Sequence, residues 1–363
     1  MKRLLVVVGA RPNFIKVARL KQVAQEHGGL EVRLLHTGQH ADDRMSAVFF
    51  EELGLRPDDM LTVPDGSAAA RMGQLMMALA PVMRAARPDA VMVVGDVDST
   101  LAAALTARTL GLPIAHLESG LRSGDREMPE EVNRILTDRL ADLLFVTEPS
   151  GVENLRREGI EEKRVHLVGN TMIDTLVAFE ESIRASGILE RLGLKGEGHA
   201  LITMHRPGNV DHPDALARTV ELIRTVAGFR TAVFPVHPRT FKRLKETGLL
   251  RRLRDSASVV LCEPLGYIEF QKLVATSAVV ITDSGGVQEE TTFRGIPCLT
   301  LRPSTERPIT ITEGTNELLP FTLEATRDAM KRIARGAFKH GRVPRLWDGH
   351  ATGRVVEALN RAL

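Results

Sequence analysis

The chain is poor in the residues that most often announce a function. Among its 363 residues there are two cysteines, one tryptophan and one tyrosine. Cys262 and Cys298 alone cannot build a disulfide framework, and neither stands at a zinc-ligand spacing. Charge of one sign is lacking too. Lys and Arg number 48 against 46 Asp and Glu, a net charge of +2 with the signs interleaved. That balance removes the electrostatic argument for nucleic acid or an anionic membrane as partner. Long apolar runs are absent, so no membrane-spanning helix is expected. Residues 1–9 hold a short apolar run followed at once by Arg11, Asn13 and Lys16, which reads as a first strand and not as a leader. The expectation is a cytoplasmic protein.

Several chemical signatures are missing as well. No Gly-x-Gly-x-x-Gly follows the first strand, where a dinucleotide site needs it. Gln271 stands four residues after Tyr267, so a Tyr-x-x-x-Lys hydride-transfer pair is absent. There is no Gly-x-x-x-x-Gly-Lys-Ser/Thr loop and no Gly-x-Ser-x-Gly elbow. His36 and His40 have i,i+4 spacing, but they flank Gly38 at a strand end and do not read as a helical metal pair. Neither NAD nor a metal is expected as cofactor.

What is present is alternation. Apolar runs at residues 4–8, 31–35, 91–94, 114–117, 143–146 and 165–168 read as buried strands, with helical periodicity between most of them. After a Gly- and charge-rich stretch the alternation resumes, with strands at 200–203, 231–235, 259–261, 278–281 and 298–301. Continuous Val/Ile/Leu runs separated by helices imply parallel sheets covered on both faces. The length exceeds that of a usual single core. The predicted fold class is α/β, with two Rossmann-like doubly wound domains facing a cleft. The boundaries read as residues 1–170, a boundary region at 171–199, a second domain at 200–350, and a terminal helix at 351–363 that packs back on the first domain.

In open parallel sheets, ligands bind beyond the carboxyl ends of the strands. The residues there are Arg11 and Lys16 after the first run, His36 to His40 after the second, and Asp96 after the third. His116, Glu118 and Arg122 follow the fourth, and His205, His237 and Asp283 occupy strand ends of the second half. The stretch Ile281-Thr-Asp-Ser-Gly-Gly-Val-Gln-Glu-Glu290 stands out. A strand turns at Gly285-Gly286, a helix start offers free N–H groups to an anion, and Glu290 can accept two hydroxyls, as a ribose offers. Arg11, Lys16, His205, Arg307 and this helix start together suit a diphosphate held without a metal.

These residues carry a resemblance. Gly9-Ala-Arg-Pro-Asn-Phe-Ile-Lys16, Thr37-Gly-Gln-His40, Gly95-Asp96, His116-Leu-Glu-Ser-Gly-Leu-Arg122, Met128-Pro-Glu-Glu-Val-Asn-Arg134, Thr282-Asp-Ser-Gly-Gly-Val-Gln-Glu-Glu290 and Thr305-Glu-Arg-Pro308 stand in one order. That order resembles the non-hydrolysing UDP-N-acetylglucosamine 2-epimerases over nearly the whole chain. The resemblance implies a GT-B-like fold, a homodimer, and interconversion of UDP-N-acetylglucosamine and UDP-N-acetylmannosamine for surface polysaccharide precursors. It implies anti elimination of UDP to 2-acetamidoglucal, then re-addition. Asp96, Glu118 and Glu130 would be the catalytic carboxylates and His205 would assist at the diphosphate. Arg11, Lys16, Ser284, Gly285 and Gly286 would hold phosphate oxygens, Glu290 the ribose, and Arg307 would lie over the nucleotide sugar. Gln39 and His40 match a motif that binds a second, activating UDP-N-acetylglucosamine.

Two departures from that pattern bear on substrate. His205-Arg-Pro-Gly208 lacks the carboxylate of the family's His-Arg-x-Glu segment, and Ile309 stands where an acid often follows Pro308. An epimerase of a related UDP-2-acetamido sugar is therefore an alternative. A hydrolysing 2-epimerase that releases UDP and a UDP-sugar sensor are the others.

Overall fold

The computed structural model describes residues 1–38, 43–63, 66–196 and 198–363, so Gln39 and His40 lie outside the described residues. The chain divides into two compact units, residues 1–178 with 345–363, and residues 179–344.

Unit 1 is built on a parallel sheet of seven strands: β1 (Lys2–Val8), β2 (Leu30–His36), β3 (Asp59–Met60), β4 (Ala90–Val94), β5 (Ile114–Ser119), β6 (Leu143–Val146) and β7 (Val165–Leu167). Their spatial order is β3-β2-β1-β4-β5-β6-β7, so the chain reverses direction of growth between β1 and β4. Unit 2 has six strands: β8 (His199–Thr203), β9 (Ala232–Pro235), β10 (Val259–Cys262), β11 (Ser277–Thr282), β12 (Cys298–Thr300) and β13 (Asn316–Leu318). Their order, β10-β9-β8-β11-β12-β13, reverses between β8 and β11. Both are Rossmann-like doubly wound sheets, the predicted class, and the crevice at each reversal is where such sheets bind ligands.

The central strands bury their continuous apolar runs, and β4, Ala-Val-Met-Val-Val, has every residue buried. In unit 1, Leu5, Val7, Val91 and Val93 pack against Leu75, Leu79 and Met83 of the helix Ala68–Ala86 and Ala103 and Ala107 of the helix Asp98–Thr109. In unit 2, Ile202, Phe234 and Ile281 pack against Leu216, Val220 and Ile223 of the helix Pro213–Ala227. Burial of side chains this size contributes about 1.5–3 kcal/mol each relative to leaving them in water.

The unit boundaries run differently from those of the sequence pattern. The pattern put the boundary region at 171–199 and carried the second domain to 350. In the structure the helix Thr171–Ala178 belongs to unit 1, and the chain returns there from Arg345. Specific bonds account for the return. Trp347 is buried and its indole Nε1 donates to the Thr147 carbonyl at 3.1 Å. Asp174, on Thr171–Ala178, accepts from the Ala351 and Thr352 amides and so caps the start of the helix Ala351–Ala362. Asn360 near its other end donates to the Gly28 carbonyl at 3.0 Å. Among the described residues, no helix is long and apolar enough to cross a membrane.

Candidate active site

Unit 1 gathers its charged groups at the carboxyl ends of β1, β4 and β5. The helix Arg11–Val17 starts directly after β1, and Asn13 in its first turn secures the loop: its Oδ1 accepts from the Gly9 and Ala10 amides, and its Nδ2 donates to the Val94 carbonyl at 3.1 Å. Gly95 then turns with φ 68°, a conformation glycine adopts without penalty, and delivers Asp96. Glu118, at the end of β5, also has a positive φ of 68°, where a side chain is strained. The pairing of β5 with β6 is irregular at this point. Backbone strain at a chemically capable residue is the kind of outlier that marks a working position.

The side chains converge. Lys16 is buried, with its ammonium on Glu118 Oε2. Arg134, from the helix Pro129–Leu140 and fully buried, places one terminal nitrogen 2.5 Å from Asp96 Oδ2 and 3.1 Å from Glu118 Oε1. Asn133 donates to the Asp96 carbonyl at 3.0 Å and to Asp98 Oδ1 at 3.1 Å. Two carboxylates and two cations thus share one largely dry cluster. Asp96 keeps 18% of its side chain exposed against 4% for Glu118, which makes Asp96 the more reachable of the two.

A second buried pair ties the same strand ends together. The His116 ring is within 2.7 Å of Asp138 Oδ1 through Nδ1 and within 2.8 Å of the Gly95 carbonyl through Nε2. Asp138 also accepts from the Gly120 amide at 3.1 Å and from Arg122 at 2.7 Å. Burial alone would raise the Asp138 pKa; the His116 ring and the Arg122 guanidinium outweigh it and hold the carboxyl below its usual range.

Unit 2 supplies a different chemistry at the reversal between β8 and β11. Ser284 is the N-cap position of the helix Gly285–Arg294, and its amide donates to Thr282 Oγ1 at 2.9 Å. A Cβ on Gly285 would lie 2.6 Å from Arg307 Nη1, so only glycine lets the guanidinium close on this helix start. Arg307 in turn pairs with Glu289 at 2.9 Å and Glu306 at 3.2 Å. Asp283, fully buried, accepts from the amides of His205 and Arg206, from Asn209 Nδ2 at 2.9 Å and from His205 Nδ1 at 3.0 Å. Burial pushes its carboxyl up, but the His205 and Asn209 bonds prevail and its pKa is lowered. His205 itself stays more than half exposed, anchored at Nδ1 with the rest of the ring turned to solvent. Glu290 is buried and its carboxyl is pushed up to about 7 by desolvation, with Glu289 adding to the rise and Gln271 and Arg294 opposing it.

The candidates read from sequence therefore sort by unit. Asp96, Glu118 and Lys16 come together in unit 1, although Lys16 lies on Glu118 in place of the expected anion. Arg11 begins the adjoining helix and is half-buried. Glu130 is exposed in the first turn of Pro129–Leu140 and outside the ion-paired cluster, whereas its neighbour Glu131 is buried and accepts from the Ser123 and Gly124 amides at 2.7 and 3.1 Å. Ser284, Gly285, Gly286, Glu290, Arg307 and His205 belong to unit 2. Arg134, His116, Asp138 and Asp283 were not assigned site roles, although each lies in or beside a motif quoted above. Among the described residues, no group of three or more His, Cys, Asp or Glu side chains could hold a metal ion.

Comparison with known proteins gives this arrangement a family. The model of the UDP-N-acetylglucosamine 2-epimerase family matches residues 22–360. The chain is 38% identical over 363 residues to UDP-N-acetylglucosamine 2-epimerase of Methanococcus maripaludis, covering 98% of this chain and 97% of that one. It is 39% identical over 367 residues to UDP-2,3-diacetamido-2,3-dideoxy-D-glucuronate 2-epimerase of Pseudomonas aeruginosa, covering 98% and 99%. The crystal structure of Methanocaldococcus jannaschii UDP-GlcNAc 2-epimerase in complex with UDP-GlcNAc and UDP matches with a TM-score of 0.90 at 35% identity, covering 99% of this chain and 100% of that one. The class is that of the GT-B-like epimerases with two Rossmann-like domains. The chain belongs to the UDP-N-acetylglucosamine 2-epimerase family and is an isomerase.

Proposed function

We propose that the protein interconverts UDP-N-acetylglucosamine and UDP-N-acetylmannosamine by eliminating UDP and adding it back. Carbon 2 of this sugar is not next to a carbonyl, so its proton is not acidic enough for direct exchange. Anti loss of that proton and of UDP from carbon 1 gives 2-acetamidoglucal. Re-addition of UDP, with a proton delivered to the opposite face of carbon 2, completes the inversion. The observation that carries this reading is the pairing of Asp96 and Glu118 in one cluster of unit 1 with Lys16 and Arg134. Carboxylates there can take and return a proton.

In unit 2, the amides of Gly285 and Gly286, the Ser284 hydroxyl and the Arg307 guanidinium offer donors to the departing diphosphate. His205, held through Nδ1, presents its other edge to the phosphates. Glu290 accepts the ribose hydroxyls, and Glu130 is the exposed third carboxylate that relays protons to solvent. We place the working form as a homodimer that feeds polysaccharide precursor synthesis. Product NMR on UDP-N-acetylglucosamine tests the assignment. Intact UDP-N-acetylmannosamine at equilibrium with the substrate is expected, and stoichiometric free N-acetylmannosamine with UDP would make it a hydrolase.

A second reading rests on two observations: the 39% identity to the diacetamido-glucuronate epimerase, and Pro207-Gly208 where a carboxylate is common. Without that carboxylate the sugar side repels a uronate less. The same assay run with UDP-2,3-diacetamido-2,3-dideoxy-D-glucuronate decides between the two by kcat/KM.

A further inference from the structure

We propose that Arg134 is a positioning residue that holds Asp96 and Glu118 ionised together and in fixed register, so that proton transfer at carbon 2 finds a charged base at neutral pH. This rests on the reading that one of these two carboxylates takes that proton, the proton for the opposite face coming from solvent by way of Glu130. One terminal nitrogen of a fully buried guanidinium serves both carboxylates, at 2.5 and 3.1 Å. Arginine suits the task because it stays charged when buried, whereas a buried lysine loses its proton more readily.

The surroundings make Arg134 decisive. Lys16, from the helix after β1, contributes one cation, and its ammonium lies on Glu118. Asp98, at the start of the next helix, adds a further negative charge, engaged by Asn133 and by Arg71 at 3.5 Å. His116 faces the Gly95 carbonyl and Asp138 and has no bond to either carboxylate among those described. Glu131 is occupied by the Ser123 and Gly124 amides, and Glu130 points to solvent. Removing the Arg134 charge would take from the two neighbouring carboxylates the guanidinium nitrogen that they share. Like charges in a poorly solvated site do not both ionise easily, so one would keep a proton to higher pH. The partner that takes the carbon 2 proton would then be partly spent before substrate arrives.

The test compares Arg134→Met and Arg134→Lys with the parent enzyme across pH. For Arg134→Met, kcat is expected to fall by ~10²–10³-fold, with KM and the UDP Kd within about threefold of the parent. Its acid limb of kcat moves up by roughly one pH unit, because a cation beside the carboxylates is gone. Arg134→Lys restores part of kcat and returns the acid limb toward the parent, since an ammonium keeps the charge but not the shared geometry. A purely structural role would lower yield or Tm without moving that limb. If Arg134→Met does not fold, Arg134→Lys carries the test: parent kcat and parent profile in it would overturn the proposal. A folded Arg134→Met with the parent acid limb would overturn it too. Asp96→Asn and Glu118→Gln are run alongside. Inactive carboxylate variants beside an unaffected Arg134→Met refute the Arg134 role alone, whereas active ones refute the underlying assignment.

Discussion

Asp96→Asn is expected to lower kcat by about 10³-fold or more and to leave the UDP Kd within about threefold of the parent. The amide has the size of the carboxylate but cannot take a proton. Asp96 is the more exposed of the two clustered carboxylates, with Oδ2 2.5 Å from Arg134, so the loss falls on the group best able to reach a substrate. The fold should tolerate the change. Arg134 keeps Glu118 at 3.1 Å, and the Asp96 backbone carbonyl still accepts from Asn133. UDP affinity should survive because the groups assigned to the nucleotide (Ser284, Gly285, Glu290 and Arg307) belong to unit 2. Steady-state kinetics with calorimetric UDP titration checks both halves. Turnover at the parent rate would remove Asp96 from the chemistry, and a parallel collapse of UDP binding would show that it acts on the nucleotide.

Glu290→Gln is expected to weaken UDP binding by roughly 10–100-fold at pH 8, the range for losing hydrogen bonds to a charged acceptor. The parent should show a pH dependence that the variant lacks. Burial pushes the Glu290 carboxyl up to about 7, so below that pH it is mostly neutral in the free protein. Two ribose hydroxyls donate best to the ionised form, so binding pulls the pKa down and releases a proton. Affinity therefore weakens by up to about tenfold for each unit that the pH falls below 7, and levels off above it. Titrating the terminal phosphate of UDP changes affinity as well, but it does so equally in both proteins. The difference between parent and Glu290→Gln isolates the carboxyl. A difference that does not vary between pH 6 and 8 would contradict the ribose assignment.

Most of the scaffold could be read from the sequence because its central strands carry continuous apolar runs. β4 and β11 announce themselves, and so do the polar residues that follow them. Of the four edge strands, β7 and β10 are legible as apolar runs and two are not: β3 is two residues, Asp59–Met60, and β13 is Asn-Glu-Leu, with Asn316 buried on hydrogen bonds and not on apolar contact. A hydrophobicity pattern has nothing to register there.

The helix Pro129–Leu140 shows why Arg134 and Asp138 escaped notice. Its buried residues are Glu131, Asn133, Arg134, Thr137 and Asp138, while Val132 and Leu136 are 39% and 46% exposed. This is an amphipathic helix turned inside out, and a periodic reading sends its apolar stripe inward and Arg134 to solvent. The inversion is stable because its buried polar groups are partnered: Arg134 meets Asp96 and Glu118, Asp138 meets His116 and Arg122, and Glu131 accepts from the Ser123 and Gly124 amides. Such pairings link residues far apart in the chain, and nothing local signals them.

The central claim is that the bond from carbon 2 to hydrogen breaks during every inversion and that the new hydrogen comes from the protein's exchangeable groups. Following UDP-N-acetylglucosamine by NMR in D2O tests it directly. The account predicts that UDP-N-acetylmannosamine carries deuterium at carbon 2 from the first turnovers, and that substrate re-formed from it carries deuterium as well. Epimerisation with the original hydrogen retained at carbon 2 would contradict the account.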